Sequence, residues 1–208
     1  MKSALLLIDL QNDFCPGGAL AVTDGDAVIA IANQAIDACK RQGMSVVASQ
    51  DWHPSSHGSF AANAGKEPWT LGELDGLPQV CWPVHCVQGE PGAEFHPHLN
   101  SDAVDHVVQK GQKDNIDSYS AFFDNAHRAS TTLHNLLQQA QVERVIVMGL
   151  ATDYCVKYTV LDALELGYEV AVLAEGCRGV NLNEQDSQHA IEQMQHAGAT
   201  LITLSALG

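Results

Sequence analysis

Residues 4–8 (ALLLI), 44–49 (MSVVAS) and 145–149 (VIVMG) are nearly continuous apolar runs. A strand with one face in water alternates apolar and polar side chains, and these do not. Runs of this kind are buried on both faces, as in a parallel sheet covered by helices. Weaker strand signals recur at 103–109, 169–174 and 200–204.

Helical periodicity fills the intervals. Residues 26–41 place Val28, Ile31, Ala35, Ile36 and Cys39 on one face, and Gly43 ends the segment. Leu133, Leu136 and Leu137 mark a short helix over 130–139. Val156, Val160, Ala163 and Leu164 follow a helix start that Thr152 or Asp153 is placed to cap. A last helix spans 183–197 and stops at Gly198. Strand and helix alternate, which predicts an α/β fold: three α/β/α layers on a six-stranded parallel sheet. There is no internal repeat and no linker, so residues 1–208 are read as one domain. Residues 52–100 interrupt the alternation with Trp52, Trp69, Trp82 and prolines at 54, 68, 78, 83 and 91. A long irregular segment in a domain of this size is expected to be a functional loop.

The formal charge of −15 argues against nucleic acid and anionic membrane surfaces as partners. The N-terminal apolar run is stopped by Asp9, too short for a signal peptide or a span, so a soluble cytoplasmic protein is expected. Six cysteines at 15, 39, 81, 86, 155 and 177 form no CxxC pair and read as free thiols. No GxGxxG follows the first strand and no GxSxG is present, so neither dinucleotide binding nor a serine hydrolase elbow is indicated. The sequence leaves assembly into a homo-oligomer open.

In open parallel sheets, ligands bind at the C-terminal strand ends. Here those ends carry Asp9, Asp51 with His53, Lys110, and the turn before Cys155. A cysteine at a helix start gains from the unpaired amides and the dipole, which favour a thiolate. It needs a base, which Asp9 supplies, with Asp13 as a rival four residues on. Lys110 beside the pair favours the charged forms of both. Asp51 and His53 flank Trp52 ahead of Pro54, in a segment pushed toward extended geometry. Both side chains then face one way, the start of a divalent metal site with His57 and His85 as further candidates. His96, His98, His106, His127, His134, His189 and His196 read as surface or helix-face residues.

The segments DLQNDF at 9–14, DWHPSSHGSF at 51–60, WPVHC at 82–86, KG at 110–111, DSYSAF at 117–122 and GLATDYCV at 149–156 resemble, in order and over nearly the whole chain, the nicotinamidases of the isochorismatase-like hydrolases. The resemblance implies a triad of Asp9, Lys110 and Cys155. It implies a divalent metal on Asp51, His53 and His85, zinc first with iron and manganese as alternatives, and leaves the part played by His57 open. Phe14, Trp82, Tyr119 and Leu150 match positions around the substrate ring, and Gln11 a position near the metal. A cis Leu150–Ala151 bond is implied, with the amides of Ala151 and Cys155 as the oxyanion hole. The activity implied is hydrolysis of nicotinamide, and of pyrazinamide, through a thioester, in salvage of NAD. The alternatives are a related amidase acting on another carbamoyl or amide compound, and a non-catalytic metal- or ligand-binding protein of the same fold.

Overall fold

The double-sided apolar runs become neighbouring central strands. The structure, a computed structural model, describes residues 1–208. Strands β1 (Ser3–Ile8), β2 (Ser45–Asp51), β5 (His106–Lys110), β6 (Arg144–Leu150), β7 (Glu169–Arg178) and β8 (Thr200–Ile202) form one sheet in the order β5-β2-β1-β6-β7-β8, every neighbouring pair parallel. A separate antiparallel hairpin pairs β3 (Leu71–Leu74) with β4 (Leu77–Val80). Leu5, Leu6, Leu7 and Ile8 of β1 are at most 1% exposed, so both faces of this strand are covered. Truncating any of them to alanine is expected to cost roughly 2–5 kcal/mol.

Helices α1 (Ala27–Arg41), α3 (Leu133–Gln139), α4 (Lys157–Glu165) and α5 (Asp186–Ala197) flank the sheet, with a single short turn, α2 (Ala61–Ala64), in the long loop. The apolar stripe of α1 lies against β1, β2, β6 and β7, while α4 packs on β7 and α5. No helix is long and apolar enough to cross a membrane.

Register delivers the site. Asp51 is the direct partner of Lys110 across β2 and β5, and Ile8 is the partner of Gly149 across β1 and β6. The strand ends are therefore level, and the loops that leave them meet above one edge of the sheet. The chain leaves β1 first toward β2 and β5 and later toward β6 to β8, so the crevice opens between β1 and β6, where strand order reverses.

Some expectations shift. The third strand of the main sheet starts at His106, not 103, because the Asp105 carboxylate turns back onto the Val46 amide at 2.8 Å. Strand β7 runs on to Arg178 past a register shift opposite Val147 and Gly149. Helix α3 begins at Leu133 and α5 at Asp186, each three residues after its predicted start, and β8 ends at Ile202. The irregular segment 52–100 does hold structure. Asp75–Gly76, both with left-handed φ (50° and 81°), closes the β3–β4 hairpin, a two-residue Asp-Gly turn. Neither Thr152 nor Asp153 caps the helix after β6. The entry is a wider π-type turn, Thr152–Val156, in which the amides of Tyr154 and Val156 share the Ala151 carbonyl.

Candidate active site

Cys155 sits in that turn, buried, facing the ends of β1 and β5. Lys110 Nζ lies 3.4 Å from its Sγ, 3.0 Å from Asp9 Oδ2 and 2.5 Å from Asp51 Oδ1, and donates to the Ser118 carbonyl at 2.7 Å. Asp9 leaves β1 with φ at +49°, and its Oδ1 accepts the Ser49 hydroxyl at 2.6 Å. Its Oδ2 has no hydrogen-bond partner beyond the ion pair, and Asp9, Asp51 and Cys155 offer atoms within 4.8 Å of one another. The sequence-predicted triad is thus assembled in one buried cluster.

The electrostatics differ from the expected thiolate. Burial pushes the Cys155 thiol well above its ordinary range; Lys110 pulls it down, but the charges of Asp9 and Asp51 add to the rise. Burial also raises Asp9 above the ordinary carboxylate value, against the pull of Lys110. Burial opposes the charge of Lys110, yet Asp51 and Asp9 outweigh it and hold the ammonium well above the usual lysine range. Burial thus favours the protonated thiol, and the same burial that raises Asp9 makes its carboxylate the better proton acceptor beside it.

Across the cleft, Asp51 Oδ2 faces His53 Nε2 at 3.3 Å and His85 Nε2 at 3.7 Å. His53 Nδ1 donates to the Gly111 carbonyl and His85 Nδ1 to the Pro83 carbonyl, both at 2.8 Å. Those bonds fix the ring orientations and turn both Nε2 atoms to one point. His53 Nε2 is buried with no hydrogen-bond partner, and two imidazoles with one carboxylate are a donor set that suits a divalent transition ion. The residues fit the group. Gly111 is required beside them: its φ is +65°, and a Cβ there would stand 2.4 Å from His53 Cε1. His57 does not offer a lone pair to this point. Its Nδ1 accepts the Ser59 amide and hydroxyl, its Nε2 faces the Ile116 carbonyl at 3.2 Å, and burial lowers its pKa to about 4, keeping it neutral.

One cleft joins the two halves, walled by Phe14, Trp82, Tyr119, Tyr154 and Ala151 and lined also by Cys155, Asp51 and His85. The profile of the isochorismatase domain matches residues 3–206. The chain belongs to the isochorismatase family. It is 59% identical to the nicotinamidase of Escherichia coli K12 over 97% of its length and 95% of that protein. Among solved structures it is similar to a nicotinamidase/pyrazinamidase of Acinetobacter baumanii, with TM-score 0.94, 43% identity and coverage of 100% of this chain and 98% of that one. It is also similar to the pyrazinamidase of Pyrococcus horikoshii in complex with zinc, with TM-score 0.81, 37% identity, and 98% and 99% coverage.

Within this family site, Leu150, expected around the substrate ring, falls elsewhere, while Gln11, expected near the metal, lies against the backbone of Asp51. Gln11 does not line the cleft; its amide is engaged by the Asp51 N–H and C=O and by the Ala93 carbonyl, each at 2.8 Å. Leu150 is fully buried in the core at the end of β6, and Ala151, across the cis peptide, borders the cleft instead. Asp13, the rival base, points away: its Oδ1 accepts the Ala19 amide at 3.1 Å and its Oδ2 the Cys86 amide at 2.7 Å. Leu20, Asp117, Tyr154 and Val180 complete the wall and were not singled out as lining residues from sequence. Tyr154, next to Cys155, could have been found from its position in the turn. Val180 could not, because it is brought in by Asp153, whose carboxylate holds the amides of Val180 and Asn181 at 2.9 and 2.8 Å.

Proposed function

We propose that this chain is a metal-dependent cysteine amidohydrolase that converts nicotinamide to nicotinate and ammonia, and pyrazinamide to pyrazinoate. The observation that carries the reading is the shared cleft. It exposes the Cys155 thiol on one side and the Asp51–His85 edge of the metal donors on the other, between aromatic walls that fit a flat ring. The identity to nicotinamidases supports the substrate. A single domain over residues 1–208 and a cytoplasmic role in returning nicotinamide to pyridine nucleotide salvage belong to the same reading.

In this mechanism Asp9 takes the thiol proton as Sγ attacks the carboxamide carbon. The oxyanion formed faces the amides of Ala151 and Cys155. Asp9 returns the proton to the departing ammonia, leaving a thioester on Cys155. Asp9 then deprotonates a water that attacks the thioester carbon, and the thiol is regenerated as nicotinate leaves. Lys110 keeps the cluster neutralised through both proton transfers. Asp51, His53 and His85 would hold a divalent ion, which would supply Lewis acidity to the substrate ring; zinc is the first choice, with iron and manganese compatible with the same donors.

The test is ammonia release from nicotinamide and pyrazinamide, with and without chelator, by the wild type and by Cys155→Ala. Wild-type release that chelator removes and metal restores is expected. Cys155→Ala is expected to fall by about 10³-fold or more while still binding nicotinamide. Release only from carbamoyl compounds would move the chain to the other amidases of the family. No release from any amide would leave a binding protein.

A further inference from the structure

The loop after β1 contributes Asp9 to the triad and Phe14 to the cleft, while Asp13 reaches neither. We propose that Asp13 is a positioning residue that sets the separation of the two metal-ligating histidines. The proposal rests on the reading of Asp51, His53 and His85 as metal ligands.

Cys86 ties the two histidines together. It directly follows His85, is fully buried, and has a left-handed backbone with φ at +46°, a conformation that non-glycine residues adopt only when surroundings hold them. Its N–H donates to Asp13 Oδ2 at 2.7 Å, and its C=O accepts the N–H of His53 at 2.9 Å. One residue thus joins both histidines: His85 by the chain and His53 by a backbone hydrogen bond. The adjoining segment continues the link, with the Gln88 amide on the His53 carbonyl at 2.8 Å. Asp13 anchors that bracket from outside. Its other oxygen holds the Ala19 amide at 3.1 Å, so the carboxylate is fixed at both ends. A carboxylate accepting backbone amides makes a charge-assisted bond, stronger than a neutral one.

The same loop treats the third donor similarly. Gln11 grips the Asp51 backbone at both its N–H and its C=O, two residues before Asp13. The loop is therefore a template against which all three donors are aligned, and Asp13 is its contact to the histidine pair. The packing leaves the carboxylate no slack. A Cβ on Gly92 would stand 2.2 Å from Asp13 Oδ2 and 2.4 Å from its Cγ, so only glycine at 92 admits it.

The experiment is zinc affinity by chelator competition, on protein purified with metal and stripped, for the wild type, Asp13→Asn and Gly92→Ala. Asn keeps the shape but presents an NH₂ where one amide needs an acceptor. Gly92→Ala displaces the carboxylate without changing it. Each variant is expected to bind zinc about 10–100-fold more weakly, the range seen when a group that orients a ligand is lost. Melting of the metal-free proteins separates the alternatives. A carboxylate that merely braces the fold lowers the metal-free melting temperature and leaves zinc affinity at the wild-type value, and that result overturns the proposal. Should Asp13→Asn fail to melt cooperatively, Gly92→Ala decides on the same criterion. A wild type that binds no zinc, iron or manganese overturns the metal reading itself, an outcome distinct from variants that bind as tightly as the wild type.

Discussion

Asp51 and Lys110, direct partners across β2 and β5, meet at 2.5 Å through Asp51 Oδ1, while Asp51 Oδ2 faces His53 and His85. One carboxylate therefore belongs to both halves of the site. Lys110 and the proposed metal donors share its charge, and burial is outweighed first by Lys110 and then by His53, which hold Asp51 well below the ordinary carboxylate range. Removing the lysine takes a competing cation away from Asp51 without touching a donor atom. Lys110→Met is expected to lose turnover by about 10³-fold, because thiol and Asp9 lose their common counter-charge, yet to hold zinc at least as tightly as the wild type. Ammonia release and chelator competition on the same sample check this; loss of zinc with the lysine would show that the two halves are not separable.

The protonation states of the triad give a pH dependence. Asp9 must be ionised to accept the thiol proton, and its pKa is raised by burial above the ordinary 3.8. Activity should therefore fall as pH drops through a value above 3.8, with no requirement for a thiolate already present. The Ser49 hydroxyl, 2.6 Å from Asp9 Oδ1, favours the charged form. Ser49→Ala is expected to move the acid limb of kcat/KM to higher pH while leaving the alkaline side in place. A limb that stays put, or moves to lower pH, contradicts the role of Asp9 as base. Iodoacetamide labelling of Cys155 should likewise show no plateau at acid pH, since a resting thiol, not an ion pair, is what the burial of the site favours.

Gly111 carries two demands at once, a φ of +65° and contact with the His53 ring. Gly111→Ala meets neither. The methyl drives His53 off the Asp51–His85 point, and the Gly111 carbonyl that orients Nδ1 moves with it. Zinc affinity is expected to fall by about 10–100-fold. Chelator competition reads the effect, and activity should return in part at high added metal. Wild-type affinity in this variant would mean that His53 is not a ligand.

Burial decides how much of this was legible in the sequence. Strands covered on both faces leave continuous apolar runs, so β1, β2 and β6 and the acids or lysine at the sheet edge could be read directly. The β3–β4 hairpin was missed because Leu71 is 72% exposed and the strands are four residues each, although Asp75–Gly76 was there to signal it. Side chains that serve backbone were also opaque. Gln11, Asp13 and Asp153 look like site residues by position, but their oxygens and nitrogens are taken up by amides and carbonyls as far as 82 residues away. Only tertiary structure says which polar atoms keep no hydrogen-bond partner, as His53 Nε2 does, and as Asp9 Oδ2 does beyond its ion pair with Lys110.

The aromatic wall divides its labour between shape and polarity. Trp82 is 4% exposed and meets Tyr154 edge-on at 4.9 Å and Tyr119 at 6.4 Å between centroids, so it fixes both neighbours. The Tyr119 hydroxyl accepts the Gln79 amide at 3.1 Å and is thus engaged away from the substrate. Trp82→Ala removes a ring face and unseats two more, while Tyr119→Phe removes one hydrogen bond from the back of the wall. Trp82→Ala is expected to raise KM for nicotinamide by about 10-fold or more, consistent with loss of roughly 1.5 kcal/mol of ring contact. Tyr119→Phe should change KM by less than about 3-fold. In both, kcat should fall less than kcat/KM, because neither side chain touches the thiol–carboxylate pair. Steady-state kinetics on the two variants distinguishes this from the opposite assignment, in which the phenol hydroxyl contacts substrate and Tyr119→Phe is the more damaging change.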